Sequence, residues 1–234
     1  MTTPSGPDSA QFLVDPQWVQ DHASDPNLVV VDIDGEAGYQ RGHIPGAAML
    51  PSNYERDPAT GLVRTMPPEK FAATCQALGI GDGSRVVLYD NNLSLYAARF
   101  WWVLDRYGHT NVKVLDGDWR RWVMEGRPVS FAPARPNPGV RFTPQPDDSR
   151  LARLDDVRAA CGRSDMVIWD VRTSSEYDGS DRRPGRRPGH IPGAVNLEWA
   201  SLMDRDTHRF RPVAEMRQLL AEKGITPDKA VFAY

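Results

Sequence analysis

The 234-residue sequence predicts an α/β protein of two similar domains, each a mostly parallel β-sheet flanked by helices, with the second incomplete. Three observations predict it. The hexapeptide Gly-His-Ile-Pro-Gly-Ala occurs twice, at 42–47 and at 189–194. Each copy is preceded by a short β-branched run ending in aspartate, Leu28 to Asp32 (LVVVD) and Met166 to Asp170 (MVIWD), which reads as a buried parallel strand. Each copy is followed by a helical stretch, a Gly-Ile step and a second apolar strand.

In the first half these later elements are Glu69 to Leu78, Gly79-Ile80 and Arg85 to Tyr89 (RVVLY). The pattern then continues through a loop from Asp90 to Ser94, an apolar helix from Leu95 to Tyr107, a strand from Val112 to Leu115 and a tryptophan-rich helix from Asp118 to Glu125. In the second half the elements are Ala214 to Glu222, Gly224-Ile225 and Ala230 to Tyr234 (AVFAY), the last expected as a central strand. Aligning Gly79 with Gly224 sets Tyr89 on Tyr234, so residues 90–129 have no counterpart in the second copy. Asp32 and Asp170 fall at carboxyl ends of strands, where open α/β sheets build their sites. The Pro-rich segment from Phe131 to Pro146 suits neither a helix interior nor a central strand and reads as a linker. The expected divisions are a first domain over 10–130, a linker over 131–150 and a second domain over 151–234.

With 40% hydrophobic and 25% charged residues, the composition is that of an ordinary globular protein. A net charge of -3 gives no global reason to expect nucleic acid or an anionic membrane as partner, so any anion site must be local. The opening MTTPSGPDSAQ lacks the basic flank and apolar core of a signal peptide, and no apolar run approaches the ~20 residues of a membrane span. A cytoplasmic location is the expectation. The two cysteines, Cys75 and Cys161, both lie in helical patterns and are expected as helix-buried small hydrophobes rather than nucleophiles or disulfide partners. Trp101, Trp102, Trp119 and Trp122 read as packing positions. No phosphate loop, metal-spaced His/Cys set or Ser-His-Asp arrangement stands out, so neither cofactor nor metal is expected.

A strand ending in Asp, the segment DVRTSSEY from Asp170 to Tyr177, the run RPGHIPGAVNL from Arg187 to Leu197 and the following strand resemble the rhodanese family. The duplication resembles its tandem thiosulfate or 3-mercaptopyruvate sulfurtransferases, and covers essentially the whole chain. In that family the first domain is commonly inert and carries Asp where the second carries a catalytic cysteine. The resemblance puts Asp90 at the inert position and expects the cysteine directly after Tyr234, with Asp170, Arg172 and His190 as parts of a structural motif. The implied activity moves sulfane sulfur from a small anionic donor to a thiol or cyanide through an enzyme persulfide. A thiolate is required there as both attacking group and carrier. The alternative is a non-catalytic rhodanese module that binds a partner protein.

His43 and His190 are expected to shape the repeated turn, because the copy with Asp90 keeps its histidine too. Arg182, Arg183, Arg186 and Arg187 crowd the insertion before the second hexapeptide, where the first copy has only Gln40 and Arg41. Such a cluster suits an anionic donor through charge-assisted bonds, and the resemblance favours Arg183, then Arg182 and Arg187, as substrate residues. The break at Tyr234 has three candidate origins: a UGA codon, by mutation or for selenocysteine; a chemically modified cysteine left out of the sequence; or a split protein completed by another chain.

Overall fold

The longer strands form where Val, Ile and Leu cluster, and the helices that begin at Pro16, Pro68, Ser174 and Val213 start at a capping side chain or a proline. The computed structural model describes residues 9–51, 54–56, 58–59, 63–182 and 187–234. It divides into two units, Met1–Asp147 with Thr207–Arg209, and Asp148–Asp206 with Phe210–Tyr234.

Unit 1 runs β1 (Leu13–Val14), α1 (Pro16–Asp21), β2 (Leu28–Asp32), α2 (Gly35–Gln40), β3 (Ala48–Met49), β4 (Glu55–Arg56), β5 (Val63–Arg64), α3 (Pro68–Ala77), β6 (Arg85–Tyr89), α4 (Leu95–Arg106), β7 (Val112–Leu115) and α5 (Asp118–Met124). Five of its strands form a parallel sheet in the order β1-β7-β6-β2-β3, while β4 and β5 pair antiparallel with each other. Asp15 starts α1 by accepting the Trp18 N–H at 2.7 Å, with Pro16 already holding a helical φ. Strand residues alternate between faces. Val30, Val87 and Tyr89 share one buried cluster with Val19 of α1 and Trp119 and Trp122 of α5. Against the other face, Phe71 of α3 stacks on Tyr107 at 4.5 Å and meets Phe100 of α4 edge-on at 5.9 Å. Each fully buried aromatic side chain contributes on the order of 2–3 kcal/mol by leaving water.

The Pro-rich segment departs from the linker expectation, since 131–147 belongs to unit 1. Proline removes donors, but the residues between the prolines find partners on the unit's surface. Arg141 accepts the Asp82 N–H at 2.8 Å, Thr143 donates to the Asp82 carboxylate through both N–H and hydroxyl, and the Gln145 and Asp147 amides bond Tyr107 and Arg106. Phe142 is buried edge-on against Phe71.

Unit 2 runs α6 (Leu154–Ala160), β8 (Met166–Asp170), α7 (Ser174–Asp178), β9 (Val195–Asn196), α8 (Val213–Glu222) and β10 (Ala230–Ala233). Its strands pair in parallel in the order β10-β8-β9, the same as β6-β2-β3. The register is the same too: Leu28 opposes Arg85 in one unit and Met166 opposes Ala230 in the other. Among the described residues β10 pairs with β8 as β6 pairs with β2. Cys161 also differs from expectation. Helix α6 ends at Ala160, leaving Cys161 as an exposed C-cap whose thiol donates to the Val157 carbonyl at 3.3 Å.

The repeated hexapeptide is held by the same tyrosine contacts in both units. The Ile44 N–H donates to the Tyr89 hydroxyl at 3.1 Å, and the Ile191 N–H to the Tyr234 hydroxyl at 3.0 Å. Each hydroxyl also lies beside the aspartate ending the neighbouring strand, Asp32 or Asp170, and draws its pKa down. Tyr39 and Tyr177 donate to the carbonyls of Ala47 and Ala194 at 2.8 and 2.9 Å. His43 stacks on Tyr39 with ring centroids 3.6 Å apart, and His190 stacks on Tyr177 at 3.7 Å. The two histidines stack on equivalent tyrosines, but His43 is buried and also bonds the Ala132 carbonyl through Nε2 at 2.9 Å, whereas His190 is exposed.

The buried aspartates differ electrostatically. Burial pushes the Asp32 carboxyl above its ordinary range, and the Tyr89 hydroxyl only partly offsets this. Burial pushes on Asp170 as well, but Arg172 grips it at 3.0 and 2.5 Å and brings it below the usual carboxylate range. Asp170→Asn is expected to destabilise unit 2 by roughly 3 kcal/mol at neutral pH, since it breaks a buried pair and leaves Arg172 on a neutral amide. Asp32→Asn is expected to cost unit 1 less than about 1.5 kcal/mol, since it removes a charge that burial opposes. Hydrogen exchange of the β8 and β2 amides reads the two separately. The depressed Asp170 contributes stability that is present above its unfolded pKa, near ~3.9, and is lost as pH falls through its lower folded value. The raised Asp32 has the opposite sign, with stability gained as it protonates, so acid is expected to weaken β8 protection before that of β2.

Candidate functional site

The carboxyl end of β6 leads into a loop whose backbone turns inward. Leu93 and Ser94 both adopt left-handed backbone, with φ of 55° and 62°, at a cost of roughly 1–2 kcal/mol each for residues with a Cβ. What holds them is Asp90. Its Oδ1 accepts the Asn92 and Ser94 N–H groups at 2.8 and 2.9 Å, and its Oδ2 accepts those of Tyr96 and Ala97 at 2.8 and 2.9 Å. The α4 N-terminus, which has no side-chain cap from Ser94, is capped instead by this carboxylate. Four amides aimed at one point form a cradle for an anion, and in unit 1 the chain fills it with its own side chain. Burial pushes the Asp90 carboxyl up, the amides of Ala97, Asn92 and Tyr96 pull it back, and the like charge of Asp34 adds to the upward push.

Two neighbours brace the loop. The buried Asp118, itself left-handed at φ 50°, accepts the Leu93 N–H at 3.1 Å, and the Trp119 N–H donates to the Asp90 carbonyl at 2.9 Å. Asp34 accepts the N–H of Asn91 at 2.9 Å and pairs with Arg41 at 2.6 Å. Neither Asp34 nor Asp118 stands out in the sequence by motif. Their role comes from folding distant segments onto the loop.

In unit 2 the same strand end carries a different charge. The Asp34 N–H turns back to Asp32 at 2.8 Å, and the Arg172 N–H turns back to Asp170 at 3.0 Å, which makes Arg172 the counterpart of Asp34. The Arg172 guanidinium also donates to the Gly189 carbonyl at 3.0 Å and lies 5.2 Å from the Tyr234 ring centre. It thus joins strand end, repeated turn and Tyr234 in one cluster. Thr173 and Glu176 close α7 with a reciprocal capping box that fixes where this turn ends.

Asp170, Arg172 and Tyr234 come together, and His190 bonds the Tyr177 carbonyl through Nδ1 at 2.8 Å on the adjoining turn. Arg182 and Arg187 are exposed on either side of 183–186; Arg183 and Arg186 lie outside the described residues. Cys75 is buried in α3, and burial pushes its thiol upward, the opposite of what a nucleophile needs. Among the described residues, no three His, Cys, Asp or Glu side chains gather as a metal site requires. No helix among them is long and apolar enough to cross a membrane.

Comparison with known proteins gives this geometry a family. The model of the rhodanese-like domain matches residues 15–125 and again 153–234. The sulfur carrier protein TtuD of Thermus thermophilus is 34% identical over 96% of this chain and 82% of its own length. A thiosulfate sulfurtransferase of Azotobacter vinelandii is 34% identical over 97% of this chain and 83% of its own length. The crystal structure of the 3-mercaptopyruvate sulfotransferase SseA from Escherichia coli shares the fold, with a TM-score of 0.83 at 24% identity over 95% of this chain and 87% of that one. With a match in each unit, the chain belongs to the rhodanese family.

Proposed function

We propose that this protein is a sulfurtransferase that moves sulfane sulfur from thiosulfate or 3-mercaptopyruvate to cyanide or a thiol, through a persulfide on a nucleophile directly following Tyr234. The observation that supports the reading is the shared register of β10 on β8 and β6 on β2, which matches Tyr234 to Tyr89, so that a residue following Tyr234 would match Asp90. Relatives named thiosulfate sulfurtransferase and sulfur carrier protein support the reaction class, and the second name favours a protein thiol as one acceptor.

The cradle seen around Asp90 supplies the chemistry. Inward amides at a helix N-terminus stabilise a thiolate over a thiol, drawing a cysteine from its free pKa of roughly 8.5 toward or below neutrality. That thiolate attacks the outer sulfur of thiosulfate. The sulfur–sulfur bond breaks, and sulfite departs with the electron pair. The persulfide left on the enzyme stays in the same amides until cyanide or a thiolate attacks its outer sulfur. Thiocyanate or a new persulfide then leaves, and the enzyme thiolate is restored. Arg183, with Arg182 and Arg187, binds the anionic donor in this scheme, and Arg172 holds Asp170 and the repeated turn in place. Donor, acceptor and nucleophile act in an aqueous, cytoplasmic setting without a cofactor.

Two experiments test this. Residues 1–234 are expected to form no thiocyanate from thiosulfate and cyanide, because Cys75 is buried and Cys161 caps α6 outside any amide cradle. Appending residues 90–130 with Asp90→Cys after Tyr234 is expected to give turnover, and the same extension with Asp90→Ser none. Activity in residues 1–234 that vanishes with Cys161→Ser would move the chemistry to Cys161, and a silent extended chain would leave a non-catalytic binding module. In the extended chain, Arg183→Ala is expected to raise KM for thiosulfate about tenfold with a smaller change in kcat, measured by steady-state kinetics.

A further inference from the structure

We infer that the second residue after the strand-terminal aspartate is an electrostatic selector for the cradle: Arg172 makes unit 2 receptive to a thiolate and an anionic donor, while Asp34 keeps unit 1 refractory independently of Asp90. The inference rests on the cradle chemistry proposed above. It assigns inertness in unit 1 to two positions.

The geometry begins with equivalence. Both residues close the same turn, each donating its N–H to the strand-terminal carboxylate at 2.8 or 3.0 Å. In unit 1 the Asp34 carboxylate accepts the N–H of Asn91 at 2.9 Å, one residue from the cradle's occupant. A charge so placed lies well inside the roughly 8–10 Å over which salt screens. Arg41 pairs with Asp34 at 2.6 Å, Asp32 lies behind it, and Asp118 with its partner His208 at 2.7 Å faces the loop from α5. Counting Asp32, Asp34 and Arg41, the strand end of unit 1 keeps one net negative charge. In unit 2, Asp170 and Arg172 cancel, and Pro188 stands where Arg41 would be in the repeat. The Arg172 guanidinium lies over the ring of Tyr234, the residue leading into the cradle position.

A negative charge beside the cradle opposes both a thiolate in it and an approaching thiosulfate; a neutral ion pair at that position does not. A cysteine at position 90 alone therefore leaves unit 1 a poor site. The charge at position 34 must change as well.

The test uses residues 1–234 with Cys161→Ser, so that the thiol at position 90 and the α3-buried Cys75 are the two thiols present, and Asp90 unchanged serves as the blank for Cys75. Three variants are compared: Asp90→Cys alone, with Asp34→Asn, and with Asp34→Arg. Iodoacetamide alkylation is followed against pH, and sulfite release from thiosulfate is measured as persulfide forms. The alkylation midpoint is expected to fall in that order, by about one pH unit or more for Asp34→Arg, giving roughly tenfold more thiolate at pH 6. Sulfite release is expected with Asp34→Arg and not with Asp90→Cys alone, and molar salt is expected to compress the differences. Asp34→Asn, nearly isosteric, keeps the sign of the effect measurable if the arginine variant does not fold. Superimposable profiles overturn the inference. If all three lie well below an ordinary thiol, the cradle chemistry stands without the selector; if all three match an ordinary thiol, the cradle reading fails with it.

Discussion

A buried carboxylate at the carboxyl end of an inner strand, set beside the hydroxyl of a tyrosine on the adjacent strand, is the contact from which the site end of each unit hangs. Asp32 with Tyr89 and Asp170 with Tyr234 are the two instances. Parallel pairing in a fixed register brings each pair together, and the tyrosine hydroxyl then accepts an amide of the repeated turn. Strand end, turn and next loop become one rigid body, so a loop that begins after the tyrosine starts from a defined point. A one-residue slip in register would send the tyrosine to the opposite face and release all three.

Unit 1 shows what that platform supports. Its loop holds left-handed Leu93 and Ser94 against their preference because Asp90 gathers four amides and Asp118 a fifth. A geometry suited to an external anion is stabilised by an internal one, which also caps α4. The carboxylate thus stabilises unit 1 while filling the space its amides enclose. Unit 2 keeps the platform and reverses the charge beside it, through Arg172 in place of Asp34. One fold, copied, holds two electrostatic settings at the same backbone position.

Much of this was legible beforehand because it is local. The hexapeptide, the runs LVVVD and MVIWD and the step from Tyr89 to Asp90 are contiguous patterns whose residue types dictate strand, turn and loop. The strands fell where β-branched residues cluster, and Trp119 and Trp122 proved buried. The expectation for Cys161 failed because α6 stops one residue early and sets the thiol at an exposed helix end, a boundary that helical periodicity does not resolve. The Pro-rich segment looked like a free connection because proline signals the absence of helix and central strand. That signal says nothing about docking, and Thr143 on Asp82 and Phe142 on Phe71 bind the segment to unit 1.

The sequence by itself determined that the protein is one α/β plan written twice, with an aspartate closing each inner strand and Asp90 in the loop after the first tyrosine. Those features depend on spacing along the chain and on the intrinsic preferences of each residue. Only the tertiary structure decided that four amides converge on Asp90, that Asp34 reaches Asn91 across 57 residues, and that Arg172 takes Asp34's place with opposite charge. Convergence and charge proximity are properties of distance in space, and distance in space is set by sheet register and packing rather than by any one segment.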